Sequence, residues 1–473
     1  MTELRQEPGT PAPSPPRGSR PTFVFCCLAL AGLVFAMLQS LITPAIPVIA
    51  DALDTPTADI GWLVTAYLLA AAIATPVAGR LGDIFGRRRV LLIVLSLLIC
   101  GTLIAALSDS LAVLLVGRAV QGCGGAVLPL AFGIVRDELP PERVGFAIGL
   151  LSSLLGSGAA LGSVLAGPIV DHLSWHWLFW IPLLLLLLAA AGIVYGVPHS
   201  TSRTPSTVHW TGAILLSTGL GCLLLALSKG GGWGWESKTT LGLSGGAVIA
   251  FTAWAMAERR AREPLVDTRM LVRRGVWTTN TVGIAFGIVT FGSSLLIPLL
   301  LQLPVDTGYG LGRSVSESGL YLLPATIAMI VFAPISGALH RHFGAKWLLV
   351  LGTGMALSGF AWLALAHATT WHMLTGVCLM GIGIGLASSA MTNALLTAVS
   401  PAQSSAATSL NTLARTIGGS IGTAALTAVL ASDTTAGVPA ETGFTYGFGI
   451  CAAALTVALI SAIALPADRP RAN

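Results

Sequence analysis

The chain contains fourteen apolar stretches, each long enough to cross a lipid bilayer as a helix. A membrane-spanning helix needs about 20 mostly apolar residues, and strands of a membrane barrel would alternate apolar and polar side chains, which these stretches do not. Charged residues make up only 10% of the 473 residues, whereas a soluble domain carries about 25%. The sequence therefore predicts an all-α polytopic membrane protein with 14 transmembrane helices. The predicted spans are residues 23–46, 60–79, 90–108, 110–132, 145–170, 177–197, 208–228, 241–257, 277–303, 316–338, 346–366, 372–394, 404–431 and 444–465.

The basic residues are concentrated on one side of these spans. Twenty of the 25 lysine and arginine residues fall in the two tails and in alternate loops, while the opposite loops hold only Lys229, Lys238 and Arg313. Positively charged loops stay in the cytoplasm, so both termini are expected there, which requires an even number of spans. The expected location is the cell (plasma) membrane. Topology accounts for the basic excess, which therefore indicates no nucleic-acid partner.

The spans are arranged as six, two and six along the chain. The turn after the second span, at 79–89, has a counterpart after the tenth, at 337–346, with the same spacing of glycine, leucine, glycine and a base. Two six-helix bundles related by a repeat, with a binding site between them, are a common transporter plan. The predicted organisation is a disordered cytoplasmic tail at 1–21, an N-terminal six-helix bundle at 22–197, two extra transmembrane helices with a cytoplasmic linker at 198–275, a C-terminal six-helix bundle at 276–466 and a cytoplasmic tail at 467–473.

The turn after the second span reads GRLGDIFGRRR and is the densest motif of the chain. Its glycines allow two helices to meet in a tight turn, its acid can cap a helix and pair with a base, and its arginines can anchor at anionic headgroups. A simple positive anchor is the alternative interpretation. The candidate residues here are Gly79, Leu81, Asp83, Gly86, Arg87 and Arg88.

The fourth span carries a buried base. Arg118 lies about 12 Å from the outer end of the span, at a rise of 1.5 Å per residue, and a central arginine costs about 2.5–3.5 kcal/mol on insertion scales. Gln121 and Gly122 follow on the same helical face. This pattern predicts a polar face or a water-lined cavity, with an arginine bonded to backbone carbonyls as the alternative.

Small residues and a second base mark two further spans. In the fifth span, Gly158 and Gly162 form a ridge for close helix contact, followed by Gly167 and Pro168. Helix packing and a gating role are both open for this ridge. In the thirteenth span, Asn411 and Arg415 share one face, and in the first span Gln39 and Thr43 do; these four residues are the predicted lining of a central cavity.

Five motifs carry a family resemblance: the turn at 79–89, the run Arg118 to Gly122 in the fourth span, the glycine-rich fifth span that ends at Trp175 and Trp177, the Trp233–Trp235 turn after the seventh span, and the run Gly319 to Pro324 in the tenth. In this order and spacing they resemble the major facilitator superfamily, in its fourteen-span drug:proton antiporter branch. The likeness covers about residues 23–466. It implies the major facilitator fold, a turn at 79–89 that locks the two bundles, and a part for Arg118 in proton coupling. The chain departs from the branch in two places: Leu38 stands where an acid is usual, and Pro168 is displaced by five positions.

The expected activity is export of drug-like or secondary-metabolite amphiphiles by alternating access, in exchange for protons. No Asp or Glu lies in the middle of a predicted span, which keeps an uncoupled facilitator, or an importer of a nutrient or siderophore, open as the alternative. A polytopic membrane enzyme is a remote third possibility.

A dry cavity with Arg118 and Arg415 favours neutral or anionic amphiphiles over lipophilic cations. The partners expected are this small-molecule substrate, protons and the lipid bilayer, with no metal and no cofactor, since the seven cysteines lack metal-ligand spacing.

Overall fold

The computed structural model describes residues 21–197, 209–261, 268–367, 369–400, 403–432, 434–435 and 438–466. The predicted tails at 1–21 and 467–473 lie outside the described residues, apart from Pro21. Within the described part of the chain, fourteen helices are long and apolar enough to cross a membrane, which confirms the predicted number. They are α1 (Thr22–Ser40), α2 (Trp62–Phe85), α3 (Arg87–Ala106), α4 (Leu111–Glu138), α5 (Glu142–His172), α6 (Trp177–Gly196), α7 (Trp210–Trp233), α8 (Lys238–Arg260), α9 (Arg274–Gln302), α10 (Glu317–His340), α11 (His342–Leu365), α12 (Thr370–Ala398), α13 (Ser404–Ser432) and α14 (Glu441–Ala464).

The first span is shorter than the sequence predicts. Helix α1 ends at Ser40, and a separate helix, Ile42–Ala52, follows after Leu41. Pro44 lacks the N–H that would bond the carbonyl of Ser40, so one continuous helix cannot pass this point unstrained. Further short elements lie between the spans: the helices Thr57–Ile60 and Thr268–Leu271, the 3-10 turn Val305–Thr307, and a pair of antiparallel two-residue strands, Thr434–Thr435 and Val438–Pro439.

The internal repeat is visible in two glycine turns. Gly86 joins α2 to α3 with a φ of 98°, and Gly344 interrupts the helical run Val315–Leu365 with a φ of 74°. Residues other than glycine rarely adopt a positive φ of this kind. Both glycines occupy the same position of the repeated motif, seven residues after Gly79 and Gly337. The same backbone turn is therefore built twice, once in each half.

The buried side chains divide into separate cores. One core is built from residues between Val282 and Leu465. Two cores of the first half are built from residues between Val24 and Val197, with Leu396 the only residue that the second half adds to them. The molecule thus consists of a first bundle, α1–α6, and a second bundle, α9–α14.

The two extra helices, α7 and α8, lie beside the contact between the bundles. Leu216 and Leu220 of α7 share a core with Ala72 of α2 and Leu410 of α13, so α7 packs against both bundles. Near the other end of α7, the hydroxyl of Ser228 lies 3.0 Å from that of Thr65 in α2. Helix α8 packs chiefly against α7.

Candidate functional site

A carboxylate of the first bundle binds a helix end of the second. The side chain of Asp83 in α2 is buried, and its Oδ2 accepts a hydrogen bond of 3.1 Å from the backbone N–H of Ala406. Ala406 lies in the first turn of α13, where backbone N–H groups have no partner within the helix and the helix dipole is positive. Asp83 therefore caps a helix that belongs to the opposite bundle.

Arg87 completes this contact. Its Nη2 donates to Asp83 Oδ1 at 3.0 Å and its Nη1 to Asp137 Oδ2 at 2.6 Å, while its Nε lies 2.9 Å from Ser405 Oγ in the second bundle. Close by, Nη1 of Arg136 donates to Ser404 Oγ at 2.6 Å. We call this set the inter-bundle latch; it consists of Asp83, Arg87, Arg136 and Asp137 of the first bundle with Ser404, Ser405 and Ala406 of the second. The side of the molecule that carries the latch is called the basic side.

The other residues of the motif support the latch. A Cβ at Gly79 would lie 3.0 Å from the carbonyl oxygen of Ser405, so only glycine lets α2 approach α13 this closely. Leu81 packs on the core of the first bundle. Arg88 is half-buried and donates to the carbonyl of Val194 at 2.7 Å. The expectation that Arg87 reaches lipid headgroups is wrong, because two carboxylates hold this side chain in the protein interior.

Arg118 is fully buried inside the first bundle. Its Nη1 donates to the carbonyl of Leu38 at 3.1 Å and to Gln121 Oε1 at 2.8 Å, and its Nε donates to the carbonyl of Leu63 at 3.3 Å. The guanidinium carbon lies 4.2 Å from the centroid of the Tyr67 ring, a cation–π contact. Backbone carbonyls, an amide and an aromatic face therefore hold this cation, without a carboxylate among the described residues.

The stripe that follows Arg118 also faces inward. Nε2 of Gln121 donates to Thr102 Oγ1 at 3.0 Å, and a Cβ at Gly122 would lie 2.5 Å from the carbonyl oxygen of Tyr67. These residues hold α4 against α2 and α3. The sequence left two interpretations of Arg118 open, a residue on a polar or water-lined face and an arginine bonded to backbone carbonyls. The observed geometry is that of an arginine bonded to backbone carbonyls.

The glycine ridge of α5 packs against α1. A Cβ at Gly158 would lie 2.9 Å from the carbonyl oxygen of Leu33, and one at Gly162 would lie 2.8 Å from that of Met37. Gly167 and Pro168 follow within the same helix, which continues to His172. This ridge lies within the first bundle. Close contacts between bundles on α5 lie at Gly145, whose added Cβ would lie 2.6 Å from the carbonyl oxygen of Gly337 in α10, and at Gly149, whose added Cβ would meet that of Ala333.

A small cavity lies between the two bundles and has a volume of about 30 Å³. Asn411 and Arg415 of α13 line it, as the spacing on that helix suggested. Gln39 and Thr43 do not line it, because α1 ends at Ser40 and Thr43 is exposed on the next helix. The complete lining is Phe35, Gly125, Leu128, Phe132, Ser152, Thr392, Leu395, Thr408, Asn411, Thr412 and Arg415.

The sequence did not reveal the partners of the motif residues. Ser405 and Ala406 are ordinary residues at a helix start, and they acquire importance only because Asp83 lies opposite them. Tyr67 carried a weak signal, as the single tyrosine of an otherwise apolar span. Glu258 was expected in a loop, but it is buried in α8, with Oε1 3.4 Å from His209 Nδ1. Within the described residues, no group of three or more His, Cys, Asp or Glu could hold a metal ion.

Two six-helix bundles that enclose a cavity and are latched together on one side define a secondary transporter. A model of the Major Facilitator Superfamily matches residues 28–423, and the chain belongs to that family. It is accordingly a multi-pass membrane transporter and not an enzyme.

Several of its relatives are named for drug resistance and export, which confirms the resemblance to the efflux branch. The tetracenomycin C resistance and export protein of Streptomyces glaucescens is 33% identical over 82% of this chain and 71% of its own length. The multidrug transporter protein MdtP of Bacillus subtilis strain 168 is 29% identical over 77% of this chain and 68% of its own length. A solved proton:xylose symporter superposes with a TM-score of 0.64 at 15% identity, covering 93% of this chain and 94% of its own, which shows the shared fold.

Proposed function

We propose that this transporter exports drug-like or secondary-metabolite amphiphiles by alternating access. The observation that carries the proposal is the Asp83–Ala406 hydrogen bond, which joins the bundles on the basic side of the central cavity. A cavity of about 30 Å³ is too small for a drug-sized molecule, which needs roughly 300 Å³ or more. Substrate therefore enters only when the bundles separate. The printed names of the relatives support efflux as the direction of transport.

The basic side is proposed to face the cytoplasm, with both termini on that side of the plasma membrane. Arg88, Arg89 and Arg143 lie on this side in loops or at helix ends, as the positive-inside rule requires. In this orientation the latch closes the cytoplasmic entrance. A substrate enters from the cytoplasm after the contacts of Asp83 and Arg87 have been broken, and it leaves on the opposite side after they have formed again.

Protons are proposed to drive the cycle through Asp83. When ionised, this carboxylate accepts from both Arg87 and the N-terminus of α13. Protonation would remove the negative charge that these two groups bind, so it would favour separation of the bundles. In this scheme Asp83 carries the proton in place of the acid that the first span lacks. Arg118 has a structural role and holds the helices of the first bundle together.

The second candidate is an uncoupled facilitator or importer. It is favoured by the absence of any carboxylate from the cavity lining, because most intramembrane proton carriers are acids or histidines close to the substrate path. The two candidates differ in proton movement and in the direction of substrate flow.

Proteoliposomes that contain a pH-sensitive dye distinguish them. Purified protein is challenged with tetracenomycin C and with lincomycin, two compounds that appear in the names of relatives of this chain. Proton release is recorded together with substrate movement. An antiporter releases protons only when a substrate is added, and Asp83→Asn abolishes the release. The control is Glu142→Gln, which removes an exposed acid on the same side. Substrate movement without proton flux would overturn the proton-coupled proposal and favour the facilitator.

A further inference from the structure

We propose that Arg415 is the anion-binding residue of the central cavity, so that the preferred substrates are amphiphiles with an aromatic or apolar body and one negatively charged group. This inference rests on the proposed function, since it assumes that the cavity is the substrate site. It assigns one of the two intramembrane arginines to substrate recognition and the other to structure.

The two arginines have opposite surroundings. Arg118 is fully buried away from the cavity lining, and three acceptors and an aromatic ring contact its guanidinium, although its Nη2 has no hydrogen bond within the described residues. Arg415 is half-buried and lines the cavity, and within the described residues its guanidinium has no hydrogen bond and no ion pair. A guanidinium carries five N–H donors in a planar fork that fits carboxylate and sulfonate oxygens. Arg415 is thus the cation whose donors remain available to a substrate.

The remaining polar groups of the lining have already used their donors. Nδ2 of Asn411 donates to the carbonyl of Thr279 at 3.1 Å. The hydroxyls of Thr408 and Thr412 donate to the carbonyls of Ser404 at 2.9 Å and of Thr408 at 3.0 Å. The hydroxyls of Ser152 and Thr392 bond each other across the two bundles at 3.3 Å. New charge-assisted hydrogen bonds in this cavity must therefore come from Arg415.

The charge of the cavity lining determines which sign of charge is favoured on the substrate. Among the described residues that line the cavity, Arg415 is the single ionisable one, so this lining is positive, and Phe35 and Phe132 provide an aromatic wall. A positive charge in a partly dehydrated site attracts an anion and repels a cation more strongly than it would in water. An anionic group on an aromatic body would satisfy Arg415 and pack on these rings at the same time.

A matched pair of probes tests the inference. Anilinonaphthalene sulfonate and N-phenyl-1-naphthylamine share one aromatic skeleton and differ by a sulfonate. Binding is measured by calorimetry with the full-length protein in nanodiscs, after subtraction of empty nanodiscs. The proteins compared are the parent, Arg415→Gln, Arg415→Lys, and Arg313→Gln, which removes an arginine of the second half from outside the cavity.

The parent protein is expected to bind the sulfonate more tightly than the neutral probe. Arg415→Gln should weaken sulfonate binding at least tenfold, as expected for the loss of about 1.4 kcal/mol, and should leave the neutral probe unchanged. Arg415→Lys should retain most of the preference, and this outcome would separate loss of charge from misfolding. An equal loss for both probes, or an unchanged sulfonate affinity in Arg415→Gln, would overturn the inference.

Transport of the two probes into proteoliposomes separates this inference from the function on which it rests. If both probes move at rates that do not depend on Arg415, transport stands and anion recognition fails. If the sulfonate binds through Arg415 and neither probe moves, anion recognition stands and export of these probes fails.

Discussion

The guanidinium of Arg118 donates a hydrogen bond to the backbone carbonyl of Leu38, with 3.1 Å between the two atoms. By its resemblance to the drug:proton antiporter branch, Leu38 stands in the first span where an acid is usual. In this chain the backbone of that span, and not a side chain, accepts from the buried arginine. Arg118 therefore keeps a hydrogen-bond partner in the first span although that span has no acid, and the proposed proton coupling needs an acid elsewhere, which is Asp83 in the proposal above.

Arg118→Gln is predicted to destabilise the first bundle. The shorter amide cannot reach the carbonyls of Leu38 and Leu63 and the side chain of Gln121 together, and each buried group left without a partner costs about 1–3 kcal/mol. The melting temperature in detergent should fall clearly. Arg313→Gln, at an exposed pair 3.9 Å from Glu317, should change it little, because such pairs contribute about 0–1 kcal/mol. Equal melting temperatures for both variants would contradict this assignment.

Arg87→Lys is predicted to loosen the latch. Lysine retains the charge but lacks the planar fork that binds Asp83, Asp137 and Ser405 at once. A cysteine at the buried position Ser409, in a cysteine-free background, should react about tenfold faster with a thiol reagent applied from the basic side, which corresponds to about 1.4 kcal/mol.

The matched control for this change is Arg88→Lys. Arg88 is half-buried and donates to the carbonyl of Val194, a residue of the first bundle, so labelling at position 409 should be unchanged. Equal labelling rates in the two lysine variants would show that the Arg87 fork does not hold the bundles together.

Gly337→Val is predicted to disfavour the closed arrangement. A Cβ at Gly337 would meet the carbonyl of Gly145, so valine forces α5 and α10 apart on the basic side. Gly354→Val, where an added Cβ meets nothing within 4 Å, is the control in the same helical run. Labelling of a cysteine at position 409 should rise in the first variant only. A rise in both would point to general destabilisation.

Gly158→Val is predicted to destabilise the first bundle without an effect on the latch. The side chain would enter the contact between α5 and α1, where even an added Cβ would lie only 2.7 Å from the Cβ of Ala36, and overpacking costs about 1–3 kcal/mol. The melting temperature should fall relative to Gly242→Val, at which space is open. A normal melting temperature combined with altered transport would instead support the gating role of this ridge.

The number of spans and the repeated turn could be predicted from the sequence because apolar length and glycine spacing are local properties. The direction of the Arg118 side chain could not be predicted, since an arginine on a polar stripe can face a cavity or a neighbouring backbone. The position of Arg87 was missed for a related reason. Three consecutive arginines look alike in the sequence, and only Arg87, the first residue after the Gly86 turn, contacts Asp83 across that turn and lies opposite Asp137.

The packing of the two extra helices, α7 and α8, could not be predicted from the sequence either. Their apolar faces gave no reason to place α7 against both α2 and α13, because the residues concerned are leucines and alanines. On α13, helical spacing places Asn411 beside Arg415, and both line the small cavity between the bundles. On the first span, α1 ends at Ser40 and Thr43 belongs to the next helix, so the same spacing argument does not apply there.

The proposed transport cycle requires the two bundles to open and close at the inter-bundle latch. Spin labels at Phe85 and Phe343, exposed residues directly before the two repeated glycine turns, report the distance between the bundles on the basic side. The distance between the two labels is measured in nanodiscs. The parent protein and Glu142→Gln should show mainly a short distance, and Asp83→Asn should show an additional, longer distance. Identical distance distributions in all three proteins would contradict the latch and, with it, the proposed cycle.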